Sequence, residues 1–302
     1  MFNLPIEVHI DNLIEDLRIF SWEAADILLF YSKKLKDKEF KKELIKNKKN
    51  NEPVTLADLK VNNLIINRMK EKYSNVNWRL LSEEDGIIQF NNRKIQSDWL
   101  WVLDPLDGTK DFIQKTGEYG MHFALNYKNK PLIGVVLIPE KDELWISNSK
   151  KVWCESRNGI EKKVNLSKNK ELSEMTLVNS KNHNNEILRI LIEKIGFKKS
   201  LSMGSIGCKI ASILRGESDI YMSLSLPGKS SPKDWDFAAP EAILRTAGGA
   251  ITYLNNKEIT YNKLNYKQDG IIIASSDSSI HRAICEKITY IIEANNIFPI
   301  IN

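Results

Sequence analysis

The sequence predicts a two-lobed protein, α+β in its first lobe and α/β in its second. Three observations lead there. The first half follows two helical stretches with a series of apolar segments carrying hairpin signals. The second half alternates strand-like and helix-like segments, the pattern of a layered α/β unit. Between them, Arg157 to Ser173 is polar and poor in large apolar residues, a candidate lobe boundary. The lobes are drawn at residues 1–160, with an antiparallel sheet, and residues 161–302.

Ile14, Leu17, Phe20, Ala24, Ile27, Leu28 and Tyr31 recur at helical spacing, so a long amphipathic helix opens the chain. A polar Lys/Asn loop runs to Asn51. Asp58 to Tyr73 reads as a second helix with Leu59, Ile65 and Met69 on its apolar face. A strand near Trp78 to Leu81 leads into Ser82-Glu83-Glu84-Asp85-Gly86. Trp99 to Leu103 reads as a buried strand. Met121–Tyr127 and Leu132–Ile138 form a hairpin across Lys128-Asn129-Lys130, with further strands near Leu144–Ser147 and Val152–Glu155. In the second half, strands are expected at Met175–Asn179, Ile220–Ser223, Ala250–Tyr253 and Ile271–Ala274. Helices are expected at Asn185–Ile195, closed by Gly196, at Lys209–Leu214, at Asp236–Thr246 and at Ser278–Ala294.

Composition narrows the class. A chain of 302 residues buries a sizeable core. No apolar stretch approaches the ~20 residues of a membrane span, so no integral membrane association is expected. The first twenty residues carry Glu7, Asp11, Glu15 and Asp16 and do not read as a secretory signal. Cys154, Cys208 and Cys285 lie far apart, which favours free thiols in a reducing, cytoplasmic setting over disulfides or a zinc cluster. The net charge of +5 comes largely from lysine. Its densest run, Lys33 to Lys49, is broken by acids and lacks interleaved aromatics, which argues against a nucleic-acid polymer as partner.

The chemistry gathers where the strand at Trp99 ends. Asp104-Pro105-Leu106-Asp107-Gly108-Thr109-Lys110-Asp111-Phe112 sets two carboxylates three residues apart on a turn that Pro105 and Gly108 favour. Two converging carboxylates repel unless a cation or proton neutralises them. With no His or Cys in the motif, an oxygen-only set favours a hard ion, Mg²⁺ above all. Three more acids accompany this pair: Glu83 after a strand, Asp58 at a helix start, and Asp236 in Asp234-Trp235-Asp236 at another helix start. Taken singly, each is explained by a solvated turn or by helix capping. His122 reads as scaffold on its strand, His183 and His281 as surface residues, and Trp99, Trp101 and Trp235 as packing around the site.

Together, in this order and spacing, the acids resemble the inositol monophosphatase superfamily of Mg²⁺-dependent, Li⁺-sensitive phosphomonoesterases, from about Val54 to the last strands. The resemblance implies the layered α/β/α/β/α sandwich of the sugar phosphatases. It makes Glu83, Asp104, the Leu106 carbonyl, Asp107 and Asp236 the ligands of two or three Mg²⁺ ions. Asp58 and Thr109 become the pair that orients the attacking water. The form Asp107-Gly108-Thr109-Lys110-Asp111-Phe112 resembles the 3'(2'),5'-bisphosphate nucleotidase branch, which removes the 3'-phosphate of adenosine 3',5'-bisphosphate and is linked to sulfate assimilation. Lys48, Pro53, Val54, Thr55, Ala57 and Asp58 follow that branch's loop pattern, while Asn50 and Glu52 depart from it. The resemblance places substrate against Glu83, Leu106, Asp107, Gly108, Thr109 and Asp236. Gly204-Ser205-Ile206-Gly207-Cys208-Lys209 resembles the nucleotide-side segment, which adds Ser205 and Lys209. An inositol or sugar monophosphatase is the enzymic alternative, and a nucleotide- or metal-sensing binding protein the alternative of another class.

Overall fold

The computed structural model describes every residue except 1–3, 6–7, 38–41, 48–52, 91–96, 183–184, 227, 229 and 298–302. Lys48, Asn50, Glu52 and His183 therefore lie outside the described residues. The described helices are α1 (Ile10–Lys34), α2 (Leu56–Tyr73), α3 (Thr109–Gln114), α4 (Glu186–Ile195), α5 (Ile206–Leu214), α6 (Asp234–Ala247) and α7 (His281–Ala294). The strands are β1 (Ile45–Asn47), β2 (Pro53–Thr55), β3 (Arg79–Ser82), β4 (Gly86–Gln89), β5 (Trp99–Asp107), β6 (Gly120–Tyr127), β7 (Lys130–Ile138), β8 (Glu143–Ser147), β9 (Val152–Glu155) and β10 (Glu161–Lys162). They continue with β11 (Thr176–Ser180), β12 (Lys199–Met203), β13 (Ile220–Ser225), β14 (Ala250–Tyr253) and β15 (Gly270–Ser275).

Two sheets carry the molecule. An eight-stranded sheet runs β10-β9-β8-β7-β6-β5-β3-β4, and a five-stranded sheet runs β12-β11-β13-β15-β14. The first is antiparallel with one exception to the expectation: β3 and β5 run parallel, with Ser82 opposite Leu103. In the second, β11 pairs parallel with both β12 and β13, and β15 pairs antiparallel with β13 and β14.

Alternating residues of β5 explain the layers. Trp101 and Leu103 join the α1 and α2 core, where Leu13, Leu17, Phe20, Val61, Ile65 and Met69 lie in helical register. Leu100 and Val102 point to the other face, against Phe237, Ala239 and Ile243 of α6 and Ile210 and Ile213 of α5. That middle layer also receives Tyr221, Ile272 and Ala274 from the small sheet. A third core joins α4 and α7 to the small sheet's outer face through Leu188, Leu191, Ile273, Ile284 and Ile288. The order is α/β/α/β/α, as expected. A strand buried on both faces reads as a continuous apolar run, which is why Trp99 to Leu103 stood out.

Several expectations are corrected. The supposed loop to Asn51 contains β1, paired antiparallel with β2. β4 and β12 are sheet-edge strands with polar or exposed residues, and neither gave a strand signal. Trp99 is at the start of β5, packed on Tyr127 (ring centroids 4.5 Å apart), and so lies at the opposite end of the strand from the acidic turn. His281 is not on the surface. It is 4% exposed, with its ring nitrogens 2.8 Å from Ser275 Oγ and Thr252 Oγ1.

Candidate active site

The site is built where β5 leaves its sheet. Asp104 still pairs with His122 of β6, but the register shifts before Asp107, and this irregularity turns the strand. Leu106 N donates to Asp104 Oδ1 (3.0 Å) and so fixes the first carboxylate inside its own turn. Gly108 closes the turn at φ +86°, in the left-handed region. A Cβ there would stand 2.9 Å from the Glu118 carbonyl oxygen, so glycine is required on both counts. Thr109 opens α3, and its hydroxyl donates to the Leu106 carbonyl (3.1 Å).

Glu83 follows β3, parallel to β5, and its N–H donates to Leu103 O (3.1 Å), so it emerges beside Asp104. A small polar scaffold holds this turn. Ser82 Oγ donates to Asn62 Oδ1 (2.6 Å), Asn62 Nδ2 donates to Asp85 Oδ2 (2.6 Å), and Glu84 N donates to Ser82 Oγ (3.2 Å). Asn62 is buried on α2 and had no signal in the sequence beyond its helical position.

Asp58 is both a cap and a site residue. Its Oδ2 accepts from Thr55 N (2.8 Å) and Thr55 Oγ1 (2.6 Å) in a capping box that starts α2, while its Oδ1 faces Thr109 Oγ1 at 3.4 Å. Burial pushes the Asp58 carboxyl up to about 7, against the opposing effect of Thr55 and with reinforcement from Glu83.

From the other side, α6 delivers Asp236, whose Oδ2 accepts from Lys233 N (2.6 Å), so it too caps its helix. Neighbouring Asp234 is fully buried and ties down the following loop, accepting from Asn262 N and Gln268 Nε2 (2.5 Å each). Asp107 is seated on the first turn of α5. Its Oδ2 accepts from Ser205 Oγ (2.6 Å), Ile206 N (2.5 Å) and Gly207 N (3.3 Å). Ligand atoms of Asp104, Asp107 and Asp236 lie within 4.8 Å of one another. Burial, then Glu83, Asp107 and Asp236 in turn, drives the Asp104 carboxyl well above the ordinary range. Crowding and burial together disfavour the charged form of such carboxyls, and a bound cation would relieve that cost.

These groups floor a cleft of about 500 Å³ whose walls include Lys110, Ser223, Ser231, Lys233 and Trp235. Glu83, Leu106, Gly108, Thr109, Ser205 and Lys209 all line it; Asp58 stands behind Thr109. Ser205 and Lys209 have prior commitments. The Ser205 hydroxyl holds Asp107, and Lys209 Nζ donates to the Gly204 carbonyl, with the Lys209 side chain buried. A wider depression of about 690 Å³ beside α7, lined by His281, Arg282 and Tyr290 among others, carries no such acid cluster.

The sequence model of the inositol monophosphatase family matches residues 14–293. Among curated proteins, the 3'(2'),5'-bisphosphate nucleotidase CysQ of Buchnera aphidicola is 32% identical over 71% of this chain and 76% of its own length. The protein of that name from Escherichia coli K12 is 28% identical over 71% of this chain and 82% of its own. Among solved structures, the Thermotoga maritima IMPase superposes with a TM-score of 0.72 at 19% identity, covering 95% of this chain and all of that one. The Bartonella henselae suhB protein gives 0.73 at 20% identity, covering 92% and 98%. No helix among the described residues is long and apolar enough to cross a membrane. With its five layers, its acid-lined turn and a match that spans nearly its whole length, the chain belongs to the inositol monophosphatase family.

Proposed function

We propose that this protein is a Mg²⁺-dependent 3'(2'),5'-bisphosphate nucleotidase that hydrolyses the 3'-phosphate of adenosine 3',5'-bisphosphate to AMP and phosphate, in the cytoplasm and in connection with sulfate assimilation. The observation that carries the reading is the convergence of Asp104, Asp107 and Asp236 under a cleft walled by lysines. The names borne by the curated relatives support the nucleotidase branch.

The donor set suits a hard divalent cation. The converging groups are carboxylates, without thiolate or imidazole, and burial beside other acids disfavours the charged form of Asp104 unless a cation offsets it. Glu83, Asp104, the Leu106 carbonyl, Asp107 and Asp236 would hold two or three Mg²⁺ ions. When bound, such ions acidify water and offset the charge on phosphate oxygens. Asp58 and Thr109 orient the attacking water: Thr55 fixes one Asp58 oxygen and leaves the other facing the Thr109 hydroxyl, ready to take up a proton. Gly108 lets the backbone approach the phosphate closely. Ser205 acts through Asp107, and Lys209 and Lys233 supply positive charge on the nucleotide side.

The test is phosphate release with Mg²⁺, with and without Li⁺, from adenosine 3',5'-bisphosphate, inositol 1-phosphate and fructose 1,6-bisphosphate. The bisphosphorylated nucleoside should give the highest kcat/KM, and Li⁺ should inhibit. Preference for inositol 1-phosphate or the sugar bisphosphate would move the protein to another branch. Tight nucleotide binding with no turnover of any substrate would make it a sensor.

A further inference from the structure

His122 adjoins the site and has no task in the chemistry above. It lies on β6, fully buried, opposite Asp104 in the strand register. Its Nε2 is 3.3 Å from Asp107 Oδ2, an approach without the alignment of a full hydrogen bond. The backbone at Trp235 and Asp236 lies against the same ring. The first turn of α5 closes the third side, where a Cβ on Gly207 would fall 2.2 Å from His122 Nε2.

Packing does not account for this residue. A buried polar nitrogen left without a good partner costs about 1–3 kcal/mol, and an aliphatic side chain would fill the same space without that cost. An imidazole places a ring nitrogen 3.3 Å from a carboxylate oxygen of the acid cluster. It also touches three elements at once: the end of β5 with Asp107, the α5 turn that seats Asp107, and the α6 turn that carries Asp236.

We propose that His122 is a positioning residue of the divalent-cation site. Its ring holds the Asp107 carboxylate and the first turn of α6 in one fixed relation, so that acids from β5 and α6 reach the cation as a set. This rests on reading the acid cluster as a cation site. Groups that hold ligating carboxylates from behind typically change metal affinity about 10–100-fold when removed.

The experiment uses the full chain, freed of metal, with Mn²⁺ as the probe and free Mn²⁺ read by its electron paramagnetic resonance signal. Four proteins are compared: wild type, H122L, H122Q and D107N. H122L fills the space without a donor, and H122Q restores an N–H group. H122L should unfold at a temperature close to that of the wild type yet bind Mn²⁺ roughly 10–100-fold more weakly, and H122Q should recover much of the loss. Should H122L not fold, H122V takes its place beside H122Q. A folded donor-free variant with wild-type Mn²⁺ affinity, or one equal to H122Q, overturns the proposal and leaves the cation site standing. A wild-type protein that binds no Mn²⁺, or a D107N that binds it like wild type, overturns the cation site and the proposal with it.

Discussion

Asp104→Asn separates the chemistry of the acid cluster from the stability of the fold. Asn keeps the acceptor that Leu106 N uses and removes one charge. At a separation of at most 4.8 Å from Asp107 and Asp236, a like-charge pair costs about 3.5 kcal/mol at an effective dielectric of about 20. The folded-state pKa of Asp104 is raised, chiefly by burial. The stability linked to this group is therefore full below the unfolded carboxyl value of about 3.9 and is lost as pH rises through the folded value. In EDTA at pH 8 the variant should thus be the more stable protein, by roughly the cost of one pair. With about 2.1 cal/mol/K of unfolding entropy per residue, that is about 5 °C in Tm. The advantage should shrink towards pH 4. Mg²⁺ should raise the melting temperature of the wild type and leave the variant nearly unmoved, and the variant should release no phosphate. Calorimetry or dye-monitored melting across that pH range, beside the phosphate assay, measures all three. An Asp104→Asn protein that melts at or below wild type in EDTA at pH 8 refutes the electrostatic argument. One that turns over substrate like wild type refutes the site.

Three further outcomes are expected. Asp58→Asn should lower kcat by about 10²–10⁴-fold, the usual worth of a positioned acid–base group, while Mn²⁺ affinity stays within a few-fold of wild type; a matching loss of affinity would make Asp58 a ligand. Gly108→Ala should cost about 1–2 kcal/mol for a left-handed alanine, and more if the Glu118 carbonyl cannot yield, with hydrolysis falling further than urea-measured stability; unchanged kcat would separate the turn from the chemistry. His281, buried between Thr252 and Ser275, has its pKa lowered to about 4 by burial. The stability its neutral form confers is present above the unfolded histidine value of about 6.5 and is lost as pH falls through about 4, in total about 3 kcal/mol. Urea unfolding at pH 7.5 and at pH 4.5 should therefore show a smaller pH difference in His281→Gln than in wild type; equal differences would refute the assignment.

The strongest signals in the sequence came from residues that answer to one constraint at a time. Trp99 to Leu103 is apolar because β5 is covered on both faces, and the hairpin of β6 and β7 announces itself by its polar turn. The edge strands β4 and β12 were invisible because half their residues face water and no periodicity survives. His281 was misplaced because a polar segment before a helix ordinarily marks solvent, whereas here β14 and β15 cover it. The acids are ambiguous for a physical reason. Asp58 and Asp236 do cap their helices, as a local reading says, and they also face the cleft. Capping is written in a four-residue window. Convergence across nearly two hundred residues is written only in the fold, so it was the family resemblance that drew these acids together. Asn62 and Asp234, which brace the acidic turns from behind, carry no local mark of that work.

One pairing in the large sheet has reach beyond its few hydrogen bonds. β3 and β5 point the same way. Had β3 been reversed, Glu83 would sit at the far rim, about 13 Å off for a four-residue strand. Direction of travel, more than any side chain, thus decides whether Glu83 and Asp104 meet. Any rearrangement that inverted β3 would dismantle the reaction centre while leaving every acid in the polypeptide.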